Sequence, residues 1–376
     1  MSDGPIPRNV EVPVEGLDVS AFEIPTETES ESDGTLEWDS TTMVLVEVHA
    51  GGETGIGYTY AHSAAAKLID GKLRGYIEGS DAVRVRATWH DMVAGTRNLG
   101  YTGLTMMAIS AVDVSLWDLK ARLLGLPLAA LLDPWHEAVP VYGSGGFCNY
   151  THEQLRDQML GWVEQGIGSI KMKVARDPER DVERVKVVRD AIGDGVELFV
   201  DANGAYDRKQ ALEWARRFSD LGASWFEEPV TSDDLEGLRL LRDRGPAGMD
   251  VAAGEYGFNP TYFAQMIDAG AVDVIQPDAT RCGGITALLE IGGLCQSHHV
   301  PVSGHTAPSI HAHGLTAVRP VRHLEYFFDH ARIEGMLFEG TLSPAGGALH
   351  PDPSRAGLGL ELKRADAEKF VTYSSS

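Results

Sequence analysis

From Val139 to Phe327 the chain alternates short apolar runs with longer segments of helical spacing. The runs read VPVYG, GSIKMKV, VELFVDAN, SWFEEP, DVAAGE, VDVIQPD, VPVSGH and HLEYF. Each is strand-length, and most are rich in β-branched or aromatic residues. The segments between them carry clear start and stop signals. In DPERDVERVKVVRDAIG, Asp177 stands at the cap, Pro178 at the first helical position and Gly193 at the stop. NPTYFAQMIDAG repeats that arrangement with Asn259, Pro260 and Gly270. Strands that alternate with helices predict an α/β protein with a parallel sheet, and eight of them predict a TIM-like barrel. An open doubly wound sheet is the competing architecture, but no glycine-rich fingerprint follows an early strand.

The first 130 or so residues have a different rhythm. TTMVLVEVHAGGETGIGYTY predicts two strands that turn at Gly51-Gly52. The acidic stretch IPTETESESDGTLEW, about Ile24 to Trp38, predicts a mobile loop. TGLTMMAISAVDVSLWDLKARLLG predicts a helix from a Thr102 cap to a Gly125 stop. This gives an α+β domain over 1–130, a barrel over 131–328, and a C-terminal segment, 329–376, which shows no strong helix and predicts loop.

Composition narrows the function classes. The 376 residues carry a formal charge of -23. That excludes the basic footprint of nucleic-acid binding and disfavours anionic membranes. It fits a soluble surface or a salty interior, and any anionic substrate must be drawn by a local positive site. Three cysteines, Cys148, Cys282 and Cys295, have no metal-ligand spacing. Free thiols, no visible signal peptide and no apolar run of spanning length predict a cytoplasmic protein.

The ends of the predicted strands carry the chemistry. They deliver Lys171 and Lys173, Asp201 and Asn203, Glu227, Glu255, Asp278, His305 and Glu325 in turn. In a barrel such ends converge on one face, where active sites sit. Asp201, Glu227 and Glu255 on neighbouring strands would repel one another without a cation, and an oxygen-only set favours Mg²⁺, with Mn²⁺ as a substitute. Lys171 and Lys173, two apart, share a strand face. Opposite a metal-bound carboxylate, one of them can remove the adjacent carbon's proton. Crowding by its neighbour and by the metal would lower its pKa. Asp278 can orient and charge the His305 ring on the other wall, and Glu325 can serve as the acid toward an enediolate oxygen. A Schiff-base aldolase would explain a buried lysine but not three carboxylates.

The set KMK, DAN, EEP, GE, PD, GH and LE resembles, in order and spacing, the mandelate racemase subgroup of the enolase superfamily. A Lys or His base with Mg²⁺ at an ene-diolate is the general pattern for that superfamily. The resemblance spans nearly the whole chain. It implies a (β/α)7β barrel with an N-terminal capping domain, completed by the returning C-terminal segment. It implies that Asp201, Glu227 and Glu255 bind Mg²⁺ and that Lys173 is the base, with Lys171 assisting. Asp278 and His305 would form the opposing dyad and Glu325 the electrophilic acid. Asn203 and Glu228 would be supporting residues, with Glu228 pointing away from the metal. The acidic loop and GYTYAHS would cover the site, making Tyr58, Tyr60 and His62 candidates for substrate selection.

Members with this residue set resemble acid-sugar dehydratases, which yield 2-keto-3-deoxy acids. A base on each face also allows racemisation or epimerisation of a 2-hydroxy acid. The expected partner is a small carboxylate substrate, in a homo-oligomer such as relatives form. Arg281 reads as an N-terminal helix residue, His298 and His299 as surface, and His311 and His313 are left without a role.

Overall fold

The computed structural model describes residues 11–375. Near the start of the chain, β1 (Gly16–Pro25), β2 (Ser40–Ala50) and β3 (Glu53–Tyr60) form an antiparallel sheet. Ala50 pairs with Glu53, so the turn between β2 and β3 is only Gly51-Gly52. Both glycines take positive φ, 60° and 81°, which a two-residue hairpin turn of this hand demands. The long helix α1 (Leu104–Leu123) packs on this sheet through a largely buried surface. It starts behind Gly103, which makes no side-chain cap. Thr102 is therefore not the cap that the sequence pattern predicts.

The barrel follows. Its strands and helices are β4 (Val139–Gly145), α2 (His152–Glu164), β5 (Ser169–Lys173), α3 (Pro178–Ile192), β6 (Glu197–Asp201) and α4 (Arg208–Asp220). Next come β7 (Ala223–Glu227), α5 (Leu235–Arg244), β8 (Asp250–Ala253), α6 (Pro260–Asp268), β9 (Val274–Ile275) and α7 (Gly284–Ser297). Last are β10 (Val302–Gly304), α8 (Pro308–Gly314) and β11 (Val321–Phe327). β11 pairs in parallel with β4, closing the circle as a (β/α)7β barrel. The expected helix signals hold at α3 and α6: Pro follows the N-cap in both, and the Asn259 side chain accepts from the Tyr262 N–H at 3.0 Å.

Period-two alternation within the strands builds the barrel floor and the site above it. Tyr142, Phe199, Trp225, Ala252 and Val274 form one buried cluster inside the barrel. The Phe199 and Trp225 rings stack with centroids 5.0 Å apart. Truncating Phe199 to alanine would cost about 3–5 kcal/mol. Two residues further along, Phe199 leads to Asp201 and Trp225 to Glu227, so the same strand face passes from apolar floor to charged rim. The register then places Lys173 beside Asp201 and Asp201 beside Glu227.

Two expectations change. The acidic stretch is not plain loop: Glu31–Ser32 pairs with Glu37–Trp38, and the hairpin is pinned to the barrel. Cys148 N–H donates to the Ser32 carbonyl at 2.7 Å, and Arg176 pairs with Glu37 at 2.9 Å. Gly34 at its tip lies so close to the strand ends that a Cβ would sit 2.5 Å from the Ala202 carbonyl oxygen. The segment after β11 also holds a ten-residue helix, α9 (Phe328–Leu337), where loop was expected. The chain then runs back, and β12 (Val371–Ser374) pairs antiparallel with β1. No helix among the described residues is long and apolar enough to cross a membrane.

Candidate active site

The strand ends bring together the carboxylates, lysines and histidine singled out in the sequence. Asp201, Glu227 and Glu255 are buried, and each offers an oxygen within 4.8 Å of the others'. Among the described residues they are the one group of three that could hold a metal ion. Glu255 Oε2 makes no hydrogen bond and has only the His305 ring nearby, at 3.2 Å, so it keeps acceptor capacity for a cation. An all-oxygen set of this kind suits a hard divalent ion. Glu227 is held from below, its Oε2 accepting from Gln276 Nε2 at 2.8 Å and Trp225 Nε1 at 3.1 Å.

Both lysines point into this cluster. Lys173 Nζ lies 2.5 Å from Asp201 Oδ2. Lys171, fully buried, contacts Glu227 and reaches Glu325 Oε1 at 2.8 Å and Asp201 Oδ2 at 3.4 Å. The expected depression of the lysine pKa is reversed with the carboxylates free. Burial would lower Lys173, but the Asp201 charge outweighs it and holds the ammonium above its ordinary value. Burial likewise opposes Lys171, while Glu227 and Glu325 raise it well above. The carboxylates outbid the mutual repulsion of the two ammoniums.

Across the mouth, His305 Nδ1 meets Asp278 Oδ2 at 2.8 Å, and Nε2 lies 3.2 Å from Glu255 Oε2. Asp278 Oδ1 accepts from the Thr280 N–H and hydroxyl, both at 2.7 Å, so the dyad is fixed by its own loop. Burial would lower His305, but Glu255 and Asp278 raise it to about 9. Burial would raise Asp278, but the His305 hydrogen bond holds it below its usual range. Glu325 is likewise held low: Lys171 and His305 overcome its burial. Its Oε1 accepts from the Ser144 hydroxyl at 2.6 Å, and its Oε2, 3.7 Å from His305 Nε2, makes no hydrogen bond.

The supporting residues divide. Asn203 lines the same cavity with its Oδ1 unpartnered, in a left-handed backbone (φ 46°). Glu228 turns away, also left-handed (φ 38°), and lines an adjoining cavity. Burial and three neighbouring carboxylates, Glu255 first, raise its pKa well above the normal value. Tyr60 and His62 line the active cavity, as expected. Tyr58 does not: it is packed in the core, its hydroxyl donating to Glu334 Oε1 at 2.6 Å, so its candidacy for substrate contact is withdrawn.

Other residues escaped the sequence reading. Arg281 lines the cavity instead of merely starting a helix. Gln276, just past the end of β9, supports Glu227, and an amide there carries no signal of chemistry in the sequence. His311 is buried; its Nε2 accepts from the Ala279 N–H at 2.9 Å and its Nδ1 meets the Thr306 carbonyl at 2.7 Å. It thereby ties the backbone after Asp278 to the backbone after His305. His313 is buried beside Ala129, while His298 and His299 are exposed, as expected.

The cavity holds about 430 Å³ between the barrel mouth and the lid residues Asp33, Leu36 and Trp38, an ordinary size for a small-molecule site. A (β/α)7β barrel capped by an N-terminal sheet, with a carboxylate triad between a lysine pair and a histidine–aspartate pair, defines the enolase-type class of barrels. Residues 154–367 match the family "Enolase C-terminal domain-like", and residues 31–133 match "Mandelate racemase / muconate lactonizing enzyme, N-terminal domain". The chain belongs to the mandelate racemase/muconate lactonizing enzyme family.

Its relatives include L-talarate/galactarate dehydratase of Salmonella typhimurium, 32% identical over 85% of this chain and 80% of that protein. A mandelate racemase/muconate lactonizing enzyme-like protein from Rubrobacter xylanophilus superposes with a TM-score of 0.94 at 56% identity, covering 96% of this chain and 100% of its own. L-Talarate dehydratase from Polaromonas sp. JS666, complexed with Mg and L-glucarate, superposes at 0.86 with 29% identity, covering 97% and 98%.

Proposed function

We propose that this protein is a Mg²⁺-dependent dehydratase that removes water from an acid sugar through an enediolate and forms a 2-keto-3-deoxy acid. The observation that carries this reading is the placement of Lys173 and His305 Nε2 on two walls of one cavity, beside the carboxylate triad. Dehydratases of arabinonate, L-rhamnonate and D-gluconate among the relatives support it. So do the neighbours that carry magnesium.

Asp201, Glu227 and Glu255 would hold Mg²⁺, or Mn²⁺ in its place. The ion would anchor the substrate carboxylate and stabilise negative charge developing on it. With the Asp201 charge directed to a bound cation, Lys173 would lose its counter-ion, and Lys171 beside it would favour the neutral amine. Lys173 Nζ then takes the proton from the carbon next to the carboxylate. Glu325, whose Oε2 makes no hydrogen bond, faces the developing enediolate as acid. It is held as a carboxylate when the lysines are fully charged, so this role requires the proton balance to shift on substrate binding. His305 Nε2, with Nδ1 anchored on Asp278, delivers a proton to the 3-hydroxyl. The C–O bond breaks, water leaves, and the enol product tautomerises to the 2-keto acid. Asn203 and Glu228 support the triad, and Tyr60 and His62 contribute to selection. The division into 1–130, 131–328 and 329–376 assigns selection to the capping region and chemistry to the barrel. We place the protein in the cytoplasm, as a homo-oligomer.

The two-walled arrangement favours one second reading, racemisation or epimerisation of a 2-hydroxy acid. A screen of acid sugars with Mg²⁺ separates the two. Keto acid that disappears with EDTA and in Lys173→Ala, by a factor of about 10²–10⁴, is expected. Deuterium at the α-carbon in D₂O without keto acid would instead establish the second reading. Because cycloisomerases are also among the relatives, products are identified by NMR.

A further inference from the structure

The cavity has a metal end and an outer end, and only the metal end is built to hold an anion. Lys173, Arg281 and His305 stand at the metal end beside the carboxylates. Arg281 is already matched there: its Nη1 donates to the Glu255 carbonyl at 3.2 Å, and its Nε lies 3.5 Å from Asp278 Oδ2.

The outer end is formed by Asp33 of the lid, Thr41 and Thr42 of β2, Tyr60 of β3, and Asp329 and His330 of α9. No lysine or arginine among the described residues lines it. Its carboxylates are committed. Asp33 Oδ1 accepts from the backbone N–H groups of Thr35 and Leu36 at 2.6 and 2.7 Å. Asp329 Oδ1 pairs with Arg332 at 2.5 Å, and its Oδ2 accepts from the Thr41 hydroxyl at 2.6 Å. The His330 ring stacks on Tyr60 with centroids 3.4 Å apart, and burial keeps it neutral by holding its pKa well below the usual value. His62, exposed at the rim, uses its Nδ1 to accept from the Ala64 N–H at 3.1 Å.

A carboxylate brought to this end would leave water to face Asp33 and the closed Asp329–Arg332 pair, with no unpaired cation to receive it, which is unfavourable. A hydroxylated tail would instead find hydroxyls and carboxylate oxygens to bond. We infer that the substrate is a monocarboxylic acid sugar, an aldonate. Its carboxylate lies at the metal end and its neutral polyol tail at the outer end, and the site discriminates against aldarates. This rests on the dehydratase reading above and narrows it.

The test uses pairs of matched configuration, galactonate with galactarate and gluconate with glucarate. Each is assayed with Mg²⁺ for keto-acid formation and, in D₂O, for α-deuterium. The preferred aldonate is expected to exceed its aldarate partner about 100-fold in kcat/KM. Thr42→Lys places an ammonium at the outer end and should narrow that ratio about tenfold or more. Asp329→Asn frees Arg332 and should act in the same direction, which keeps the test alive if the lysine variant does not fold. Equal or better turnover of the aldarate overturns the inference, as does an unchanged ratio in the folded variants. In either case, exchange with any acid sugar leaves the enediolate reading standing. Absence of exchange with every acid sugar overturns both.

Discussion

Lys171 is fully buried and touches three carboxylates, so in the metal-free protein it serves as a counter-ion. Removing one partner of a buried ion pair leaves an uncompensated charge and costs about 3–5 kcal/mol. Lys171→Met should therefore unfold at lower urea concentration in EDTA, and saturating Mg²⁺ should recover part of the loss. A metal-free variant as stable as the parent would end the counter-ion account. Asp201→Asn removes a carboxylate from the triad and should weaken Mg²⁺ binding at least about tenfold by calorimetry. At this scale much was legible, because metal ligands and bases are types that seldom close consecutive strands by accident. Gln276 and Arg281 were not, since neither type announces chemistry. Tyr58 was misplaced because period two on β3 puts it and Tyr60 on one face, yet only Tyr60 reaches the cavity.

The elements that carry the site are held together by contacts that hydrophobic patterning does not reveal. His311 on α8 joins the loops after β9 and β10, and so sets Asp278 against His305. His311→Gln retains one donor and one acceptor, whereas His311→Leu retains neither. The leucine variant should lose about tenfold or more in kcat while the glutamine variant recovers much of it, with Mg²⁺ affinity unchanged in both. Equal loss in the two variants would mean that packing, not the loop-to-loop bridge, matters. The lid makes a separate prediction. A Cβ on Gly34 would meet backbone atoms that cannot yield, so Gly34→Ala should raise KM severalfold by lifting the hairpin, as steady-state kinetics would read. Helix α9 was missed for a physical reason. Its buried face consists of Asp329, His330, Ile333, Glu334 and Leu337, and three of those five are polar, so the helical stripe does not look apolar. The barrel strands were legible because their apolar alternation coincides with their burial.

Across the whole molecule, capping sheet and barrel meet through buried polar groups as well as apolar surface. Glu334 of α9 accepts from Tyr58 of β3 and from the Ser309 N–H and hydroxyl of α8. Its burial outweighs these bonds and lifts its pKa to about 7 from an ordinary 4.5. The folded state thus keeps a proton that the unfolded chain gives up between those values. The resulting stability is full below the unfolded pKa and is lost as pH rises through the folded one. Relative to Glu334→Gln, the parent should lose thermal midpoint as pH increases from about 5 to 8; parallel profiles would refute this. The charge of -23 belongs to the whole chain and does not indicate where within the site positive charge is concentrated. One further consequence follows from the pairing of β12 with β1, whose partners Ser20 and Ser374 stand far apart in the chain. Bringing them together closes a very long loop. During vectorial synthesis the barrel segments emerge before Val371–Ser374, so the outer edge of β1 stays open until those residues appear. The capping sheet is begun before the barrel and completed after it, and the newborn protein carries an unpaired edge, a hazard for association, until Val371–Ser374 joins β1.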